Sequence, residues 1–405
     1  MGQTLPYYDE ALDTILSHVT SLPTRSVSMY ESMGTVLRRD VVADRDQPPF
    51  DRSMMDGFAV RLFQLREGGA YEVRGSIAAG VPAGKFPDTG VVRIATGAPL
   101  PTGADAVVPV EQAEVETSKG TEHVRFHAGS VSSWSNVHPR GSDAALGQVL
   151  IPAGTRIGLQ HVGIAATVGA SQLEVSQSPR ITLLTSGDEV RRPDTELVDL
   201  KVHQIRNSNG PMLMAFFSAL GAPIMGHEHL VDEPESTLAA AREAIGRSHL
   251  VVTVGGVSVG QRDWLGRTWE KLGLEKLVNG VAIQPGKPVL VARDKTKLVV
   301  GLPGNPVSAL ATAHLFVWPV IRKLMGIPTG LGWRQVQLMR ATKANDQRQL
   351  FRAVRLDDDG DAWPLHWHGS GDLVHTSKAA GLVRLPLIDD EVESGTILPF
   401  LPWVG

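Results

Sequence analysis

The hydrophobic pattern changes rhythm several times along the chain. Near the start, Leu12, Ile15, Leu16 and Val19 recur at helical spacing, with Asp9 placed to cap the helix. From about Asp44 to Asp143 no helical period survives. Short alternating runs such as GVVRIATGAPLP and ADAVVPVEQ lie among Gly and Pro, which predicts short strands and turns. At 157–173 the stretch IGLQHVGIAATVGASQL returns to a small-residue helix. The pattern predicts a discontinuous helical domain, 1–43 and 144–179, interrupted by an inserted β domain, 44–143.

From Ile181 strands and helices alternate. ITLLTS, PIMGHEHL and HLVVTV read as strands. Between them Leu213, Phe216, Phe217 and Leu220 mark one helix face, ended by Gly221, and Pro234 opens the helix PESTLAAAREAI. DWLGRTWEKLG is a further helix, VLVARD and LVVGL are further strands, and a last helix runs to Met325. This alternation predicts a three-layer α/β domain over 180–327, its parallel sheet covered on both faces. After Pro328 the runs RQVQLMRATK, LFRAVRLDDDG and GLVRLPLI predict a C-terminal β-barrel-like domain, 328–405. The expected fold class is α/β and multidomain.

Between Leu298 and Ile321 there is no Asp, Glu, Lys or Arg, which calls for a membrane check. A spanning helix needs roughly 20 apolar residues. Pro303, Gly304, Asn305, Pro306 and Pro319 interrupt this run, so it reads as a buried strand, a sharp turn and a helix. The N-terminal MGQTLPYYDEALDTIL has no basic-then-apolar leader pattern. A cytoplasmic protein with no membrane partner is expected.

Composition narrows the chemistry. The 405 residues suggest two to four domains at roughly 150 residues each. A net charge of −4 gives no general pull towards nucleic acid, so an anionic ligand needs a local pocket. The absence of cysteine excludes disulfides, thiolate nucleophiles and Cys-ligated zinc or iron–sulfur sites.

In an open parallel sheet, ligands bind at the carboxyl ends of the strands. Three loops leave those ends here: TSGDEV with Glu189, GGVSVGQRD with Gly255, Gly256, Ser258 and Asp263, and PGNPVSA with Pro303, Pro306 and Ser308. Glycines admit close backbone approach, and helix N-termini favour anions, so a phosphate or other oxyanion is the expected guest. The carboxylates Glu189, Asp232 and Asp263 would repel such a guest unless a cation lay between, and oxygen-only ligands suit Mg²⁺. Asp232 and Asp263 each precede a helix, so capping is the competing reading. Lys287 sits in a rigid PGKP frame, and Arg352 and Ser370 could add donors. In the inserted unit Asp56 precedes a glycine, Thr96 lies in a turn, and Arg140 and Asp143 follow in RGSDAALG.

The stretches SMMDGFAV, RIATGAP, RGSDAALG, TSGDEV, VDEP, GGVSVGQRD, PGKP, GLPGNPVSA and HGSGD occur in this order over most of the chain. Together they resemble the molybdopterin molybdenumtransferase family, which includes bacterial MoeA and the E domain of gephyrin. The resemblance implies the four-part architecture above, with the α/β domain binding molybdopterin, and an elongated homodimer. It implies insertion of molybdate into adenylylated molybdopterin with release of AMP, assisted by Mg²⁺ or another divalent cation. It assigns metal holding or bond positioning to Asp263, Asp232 and Glu189. Gly255, Gly256, Ser258, Pro303 and Pro306 fall to substrate binding. Lys287, Ser308, Arg352 and Ser370 match positions that cradle molybdate. Asp56, Thr96 and Asp143 complete the catalytic set from the inserted domain. A molybdopterin adenylyltransferase and apo-molybdoenzymes are the implied partners.

Two positions depart from the family pattern. Gln284 replaces the first lysine of Lys-Pro-Gly-Lys-Pro, which should weaken the anion pocket, and Ser142 replaces the glutamate of Gly-Glu-Asp. Two other readings compete. An adenylyltransferase would resemble the α/β domain alone, usually with Gly-Gly-Thr-Gly at Gly255–Ser258. A dimeric scaffold would not need to keep Asp263, Asp232, Glu189 and Lys287 together.

Overall fold

Leu250–Val254 is buried along its whole length, and Ile181–Ser186 over five of its six residues. Such strands belong inside a sheet covered on both faces. A computed structural model of the chain, describing residues 4–127, 131–230, 233–256, 264–366 and 368–404, places them there. The strand order is Ile224–Leu230, Ile181–Ser186, Leu250–Val254, Lys297–Leu302, Leu290–Asp294, Glu275–Asn279. Alternate residues feed two cores. Ile181, Leu183, Val252 and Val300 pack with Leu213, Phe216 and Phe217 of the helix Asn209–Ala219. Leu184, Val251 and Val299 pack on the other side with Ala244, Ile245 and Trp269. The three layers follow from this alternation.

The sheet is mixed rather than all parallel. The first four strands pair in parallel, but Leu290–Asp294 and Lys297–Leu302 form an antiparallel hairpin, and Glu275–Asn279 adds antiparallel to it. Only Lys295 and Thr296 separate the hairpin strands, with Lys295 at φ 54°. A parallel crossover needs a dozen or more residues, so this turn permits nothing else.

The apolar run after Leu302 is a turn followed by the helical stretch Pro306–Thr312, Ala313–Val317 (a π-turn) and Trp318–Leu324. Among the described residues no helix is long and apolar enough to cross a membrane. His314 is buried inside this stretch against Phe216 and Trp403. Its Nδ1 lies 2.8 Å from the Leu310 carbonyl, which fixes Nδ1–H as a donor, and Nε2 accepts the Val404 N–H at 3.0 Å. Burial pushes its pKa down to about 4. The imidazole is neutral when folded and protonates more readily when unfolded. Stability from this group is complete above pH ~6.5 and is lost as pH falls towards 4, by up to about 3 kcal/mol. Thermal melts at pH 7 and pH ~4.5 should show the loss. His314→Gln, which keeps a donor and an acceptor without titrating, should flatten it.

The helix Tyr8–Ser17 lies where the periodicity placed one, but Tyr7 rather than Asp9 occupies the N-cap position. Asp9 instead forms an ion pair with Arg384. Tyr8 meets Phe316 and Phe351 edge-on at 5.6 and 5.2 Å. Tyr8, Ala11 and Ile15 therefore share the core of the α/β unit and the C-terminal strands. This part of 1–43 belongs structurally with those elements, a correction to the grouping expected from the sequence.

The rest of the discontinuous region is not purely helical. Thr24–Ser28 pairs with Gln172–Ser176, and Val41–Val42 with Val149–Ile151, both antiparallel. The helix Leu159–Thr167 accompanies them over a core of Val27, Leu37, Ile151, Ile157 and Val175. The alternation in TRSVS and QLEVS was the overlooked strand signal. Between these halves lies a six-stranded sheet ordered Ala106–Pro109, Gly57–Val60, Val91–Ile94, Ala70–Ile77, Thr121–Phe126, Ala113–Ser118. In the C-terminal part Arg334–Gln337, Ile397–Pro402, Gly381–Arg384, Gln349–Leu356 and Ala362–Pro364 pair in turn. A bridge from Ala362 back to Leu338 returns the path on itself. The parallel pairing of Ile283–Gln284 with Gln349–Leu350 stitches this barrel-like unit to the α/β sheet.

Candidate functional site

A cleft of about 810 Å³ opens at the carboxyl ends of Ile181–Ser186, Leu250–Val254 and Lys297–Leu302. Of the residues singled out in the sequence, Glu189, Gly255, Gly256, Pro303 and Pro306 line it. Gly255 has φ 87°, and a Cβ there would sit 3.0 Å from both the Ser186 carbonyl oxygen and Oγ. Two backbone segments can meet at the cleft floor because this position has no side chain.

The asparagines of RNSNG also face the cleft, and sequence reasoning passed over them. Asn207 donates to Thr185 Oγ1 at 3.2 Å and accepts the Gly210 N–H at 2.8 Å. Asn209 Nδ2 donates to the Gly304 carbonyl at 2.7 Å, tying two of the loops together. That bond fixes the amide orientation, because a carbonyl can only accept. Asn209 Oδ1 is left buried without a hydrogen-bond partner. The available signal was an Asn-Ser-Asn-Gly run immediately ahead of an apolar helix, where side-chain amides commonly serve as caps and loop ties.

Beneath the floor, Thr185 Oγ1 lies 3.1 Å from both His227 Nε2 and His229 Nδ1. Burial, and then the neighbouring His229, hold His227 below the usual histidine range. The other wall comes from the C-terminal unit: Gly371, Asp372, Leu373 and Val374. Asn305 Nδ2 donates to Ser370 Oγ at 2.9 Å, and Val307 N–H donates to the Ser370 carbonyl at 3.0 Å. Pro306 has no N–H and the Val307 N–H is taken, so this helix start offers an anion less than expected.

The four residues expected to cradle a tetrahedral oxyanion are not part of the cleft wall among the described residues. Ser308 is buried on the helix beneath it. Arg352 lies half-buried on Gln349–Leu356, where burial lowers its pKa. Ser370 stands behind Asn305. Lys287 borders a separate depression of about 480 Å³ with Tyr7, Gln347 and Arg348, while its neighbour Pro288 lines the main cleft. The PGKP frame is held by close packing: Gly286 has φ 110°, and a Cβ there would come within 2.2 Å of Thr312 Cγ2. The frame thus fixes the backbone, while Lys287 borders the second depression.

The residues singled out in the inserted unit form their own cluster. Asp56 Oδ1 accepts the Thr96 N–H at 2.7 Å. Gly97 N–H donates to the Ser53 carbonyl, and Ser53 pairs with Val137. Next to it, Arg52 Nη2 lies 3.1 Å from His138 Nδ1. A guanidinium only donates, so His138 Nδ1 accepts and its Nε2–H donates to Asp143 Oδ1 at 2.7 Å. Arg140 turns away to Asp46. No residue of 44–143 lines the α/β cleft among the described residues. Ser258, Asp232 and Asp263 lie outside the described residues. Glu233, which holds the N-cap position of Pro234–Arg247, makes no side-chain cap bond.

Residues 7–169 match the MoeA N-terminal region (domain I and II), and residues 182–323 match a probable molybdopterin binding domain. A molybdopterin molybdenumtransferase of Staphylococcus aureus (strain N315) is 32% identical over 391 residues, covering 93% of this chain and 90% of that protein. One from Synechocystis is 29% identical over 403 residues, covering 97% and 98%. The crystal structure of a molybdopterin biosynthesis MoeA protein from Pyrococcus horikoshii matches over the whole of both chains, with a TM-score of 0.81 and 30% identity. The mixed α/β fold, the cleft built by its glycine loops and these full-length likenesses agree: the chain belongs to the molybdopterin molybdenumtransferase family, transferases of molybdenum cofactor biosynthesis.

Proposed function

We propose that the chain inserts molybdate into adenylylated molybdopterin, releasing AMP, and that it does so in the cleft at the carboxyl ends of the α/β sheet. The carrying observation is the convergence there of three glycine-containing loops with Glu189 and the unpartnered Asn209 Oδ1. Adenylylated molybdopterin brings a pyrophosphate, which suits close backbone approach at Gly255, Gly256 and Gly304. The reading is tested by molybdate-dependent AMP release from purified protein.

The oxygen donors of the cleft suit Mg²⁺ or another hard divalent cation. Glu189 offers a carboxylate, and Ser186 and Asn209, which also carry side-chain oxygens, line the same cleft. Glu189, with Asp232 and Asp263 carried over from the family pattern, would hold such an ion beside the anhydride. The ion supplies charge neutralisation on the phosphate oxygens, which eases cleavage without a covalent enzyme intermediate. This chain's own groups orient the substrate: the Asn209–Gly304 tie holds two loops in register, and the Asn305–Ser370 bond holds the C-terminal wall against them.

Asp56, Thr96 and Asp143 contribute from the inserted unit of the second subunit in a homodimer. Their absence from the cleft wall of their own chain supports this arrangement, since a two-fold dimer lets each inserted unit reach the partner's cleft. An adenylyltransferase that loads the pterin upstream and apo-molybdoenzymes that accept the product are the expected partners, in the cytoplasm.

Gln284 is exposed and sits one strand position from the residue paired with Gln349. It stands where many family members carry a lysine, so molybdate should be held less strongly here. Gln284→Lys should lower the molybdate concentration giving half-maximal rate by a factor of roughly 3–10, since one charge near an oxyanion contributes on the order of 1 kcal/mol. An unchanged value would show that another cation already does this work.

A further inference from the structure

The C-terminal wall of the cleft carries a cluster that the proposed reaction does not use. In HWHGSGDLVH, His368, Asp372 and His375 bring one ligand atom each within 4.8 Å of one another. His375 Nδ1 straddles the carboxylate, 2.8 Å from Asp372 Oδ1 and 2.7 Å from Oδ2, and His368 Nδ1 lies 3.1 Å from that same Oδ2. The His368 N–H donates to the same oxygen at 2.9 Å, and the His375 N–H donates to Oδ1 at 3.3 Å. A third imidazole, His366, stands edge-on to His368 with ring centroids 5.3 Å apart, and His368 meets His375 the same way at 5.1 Å.

Asp372 lies one residue ahead of Leu373, the N-cap of the short helical turn Val374–Lys378, and its acceptance of a free N–H from the first turn accounts for the bond to the His375 N–H. It does not account for two imidazoles aimed at the same carboxylate. Nitrogen and oxygen ligands about 2.0–2.1 Å from a tetrahedral zinc ion are separated by roughly 3.3 Å. The two nitrogen-to-carboxylate spacings are slightly shorter and all three ligand atoms lie within 4.8 Å of one another, so a metal could take the place of the bridging protons with a modest shift of two exposed rings. Imidazole with a single carboxylate favours Zn²⁺, Co²⁺, Ni²⁺ or Cu²⁺ over Mg²⁺.

We infer that His368, Asp372 and His375 form a transition-metal site of the Zn²⁺ class on the rim of the cleft, separate from the oxygen-lined position proposed for the hard cation. Water would fill the remaining positions. Asp372 also lines the cleft, so an ion there would fix the Gly371–Val374 wall. The inference does not depend on the reaction proposed above.

The test is equilibrium dialysis of the whole chain against Zn²⁺ with Mg²⁺ in excess, followed by metal analysis. One Zn²⁺ per chain is expected for the unaltered protein. The doubly substituted His368→Gln, His375→Gln chain should bind it at least about tenfold more weakly. Both side chains are largely exposed, at 70% and 50%, so this variant should fold normally, which circular dichroism checks. Equal Zn²⁺ binding by the two proteins, or none by the unaltered one, would overturn the site. Co²⁺ loaded into the unaltered chain gives a reading that needs no variant. Absorption typical of a low-coordinate ion with nitrogen ligands is expected, and the spectrum of a six-coordinate, oxygen-ligated ion would overturn it.

Discussion

Chains carrying Asp56→Asn and chains carrying Glu189→Gln should each be nearly inactive alone and should regain activity when refolded together. Asp56 accepts the Thr96 N–H, and the amide oxygen of asparagine can still do so, which leaves the turn intact while removing its charge. Glu189 lies in the cleft of the α/β unit, which no described residue of 44–143 lines. If each site combines the inserted unit of one subunit with the cleft of the other, a mixed dimer holds one doubly substituted site and one unaltered site. Random pairing makes half the dimers mixed, so roughly a quarter of full activity should return. If each site lies within one chain, both kinds of chain stay defective and nothing returns. Differentially tagged chains show that mixed dimers form, and their formation without recovery would rule out the shared site.

Gly255→Ala should have the other large effect. Its φ of 87° costs an L-residue about 1–2 kcal/mol, and the new Cβ would press on the Ser186 carbonyl oxygen and Oγ at 3.0 Å. Most of that cost falls on local geometry, because Gly255 ends a strand at the edge of the core. The loop must shift by a sizeable fraction of an ångström, and misplacement by about 1 Å can reduce turnover by 10²-fold. Turnover should therefore fall by roughly two orders of magnitude while thermal stability changes by about 2 kcal/mol or less. Measured kcat near the unaltered value would mean that the backbone at Gly255 does not approach the substrate.

The α/β unit was legible from its residues because buried strands and amphipathic helices leave different periods. Leu213, Phe216 and Phe217 are buried as their spacing predicted. Strand direction was less legible. The Lys295-Thr296 turn is too short for a crossover, yet the alternation around it hid the hairpin. The helix at Tyr8–Ser17 was found from local period alone, but period does not reveal the distant partner of an apolar face, here Phe316 and Phe351.

At the site, loops ending strands were readable because glycines mark close approach, and Glu189, Gly255, Pro303 and Pro306 line the cleft at those loops. Asn207 and Asn209 were missed because an asparagine before a helix ordinarily serves as a cap. Lys287 stands away from the cleft wall. PGKP fixes the backbone, with Gly286 packed against Thr312, 26 residues further along the chain, but a local motif does not say which of two depressions the lysine borders.

The central claim is that this cleft transfers molybdate into an adenylylated pterin. Its most direct test mixes the purified protein with Mg²⁺, molybdate and adenylylated molybdopterin and follows AMP. AMP should appear with turnover, should depend on molybdate and on the divalent cation, and should nearly vanish in the Glu189→Gln chain. Tight binding of adenylylated molybdopterin with no AMP released, whatever divalent cation and molybdate concentration are supplied, would contradict it and leave a binding protein in place of an enzyme.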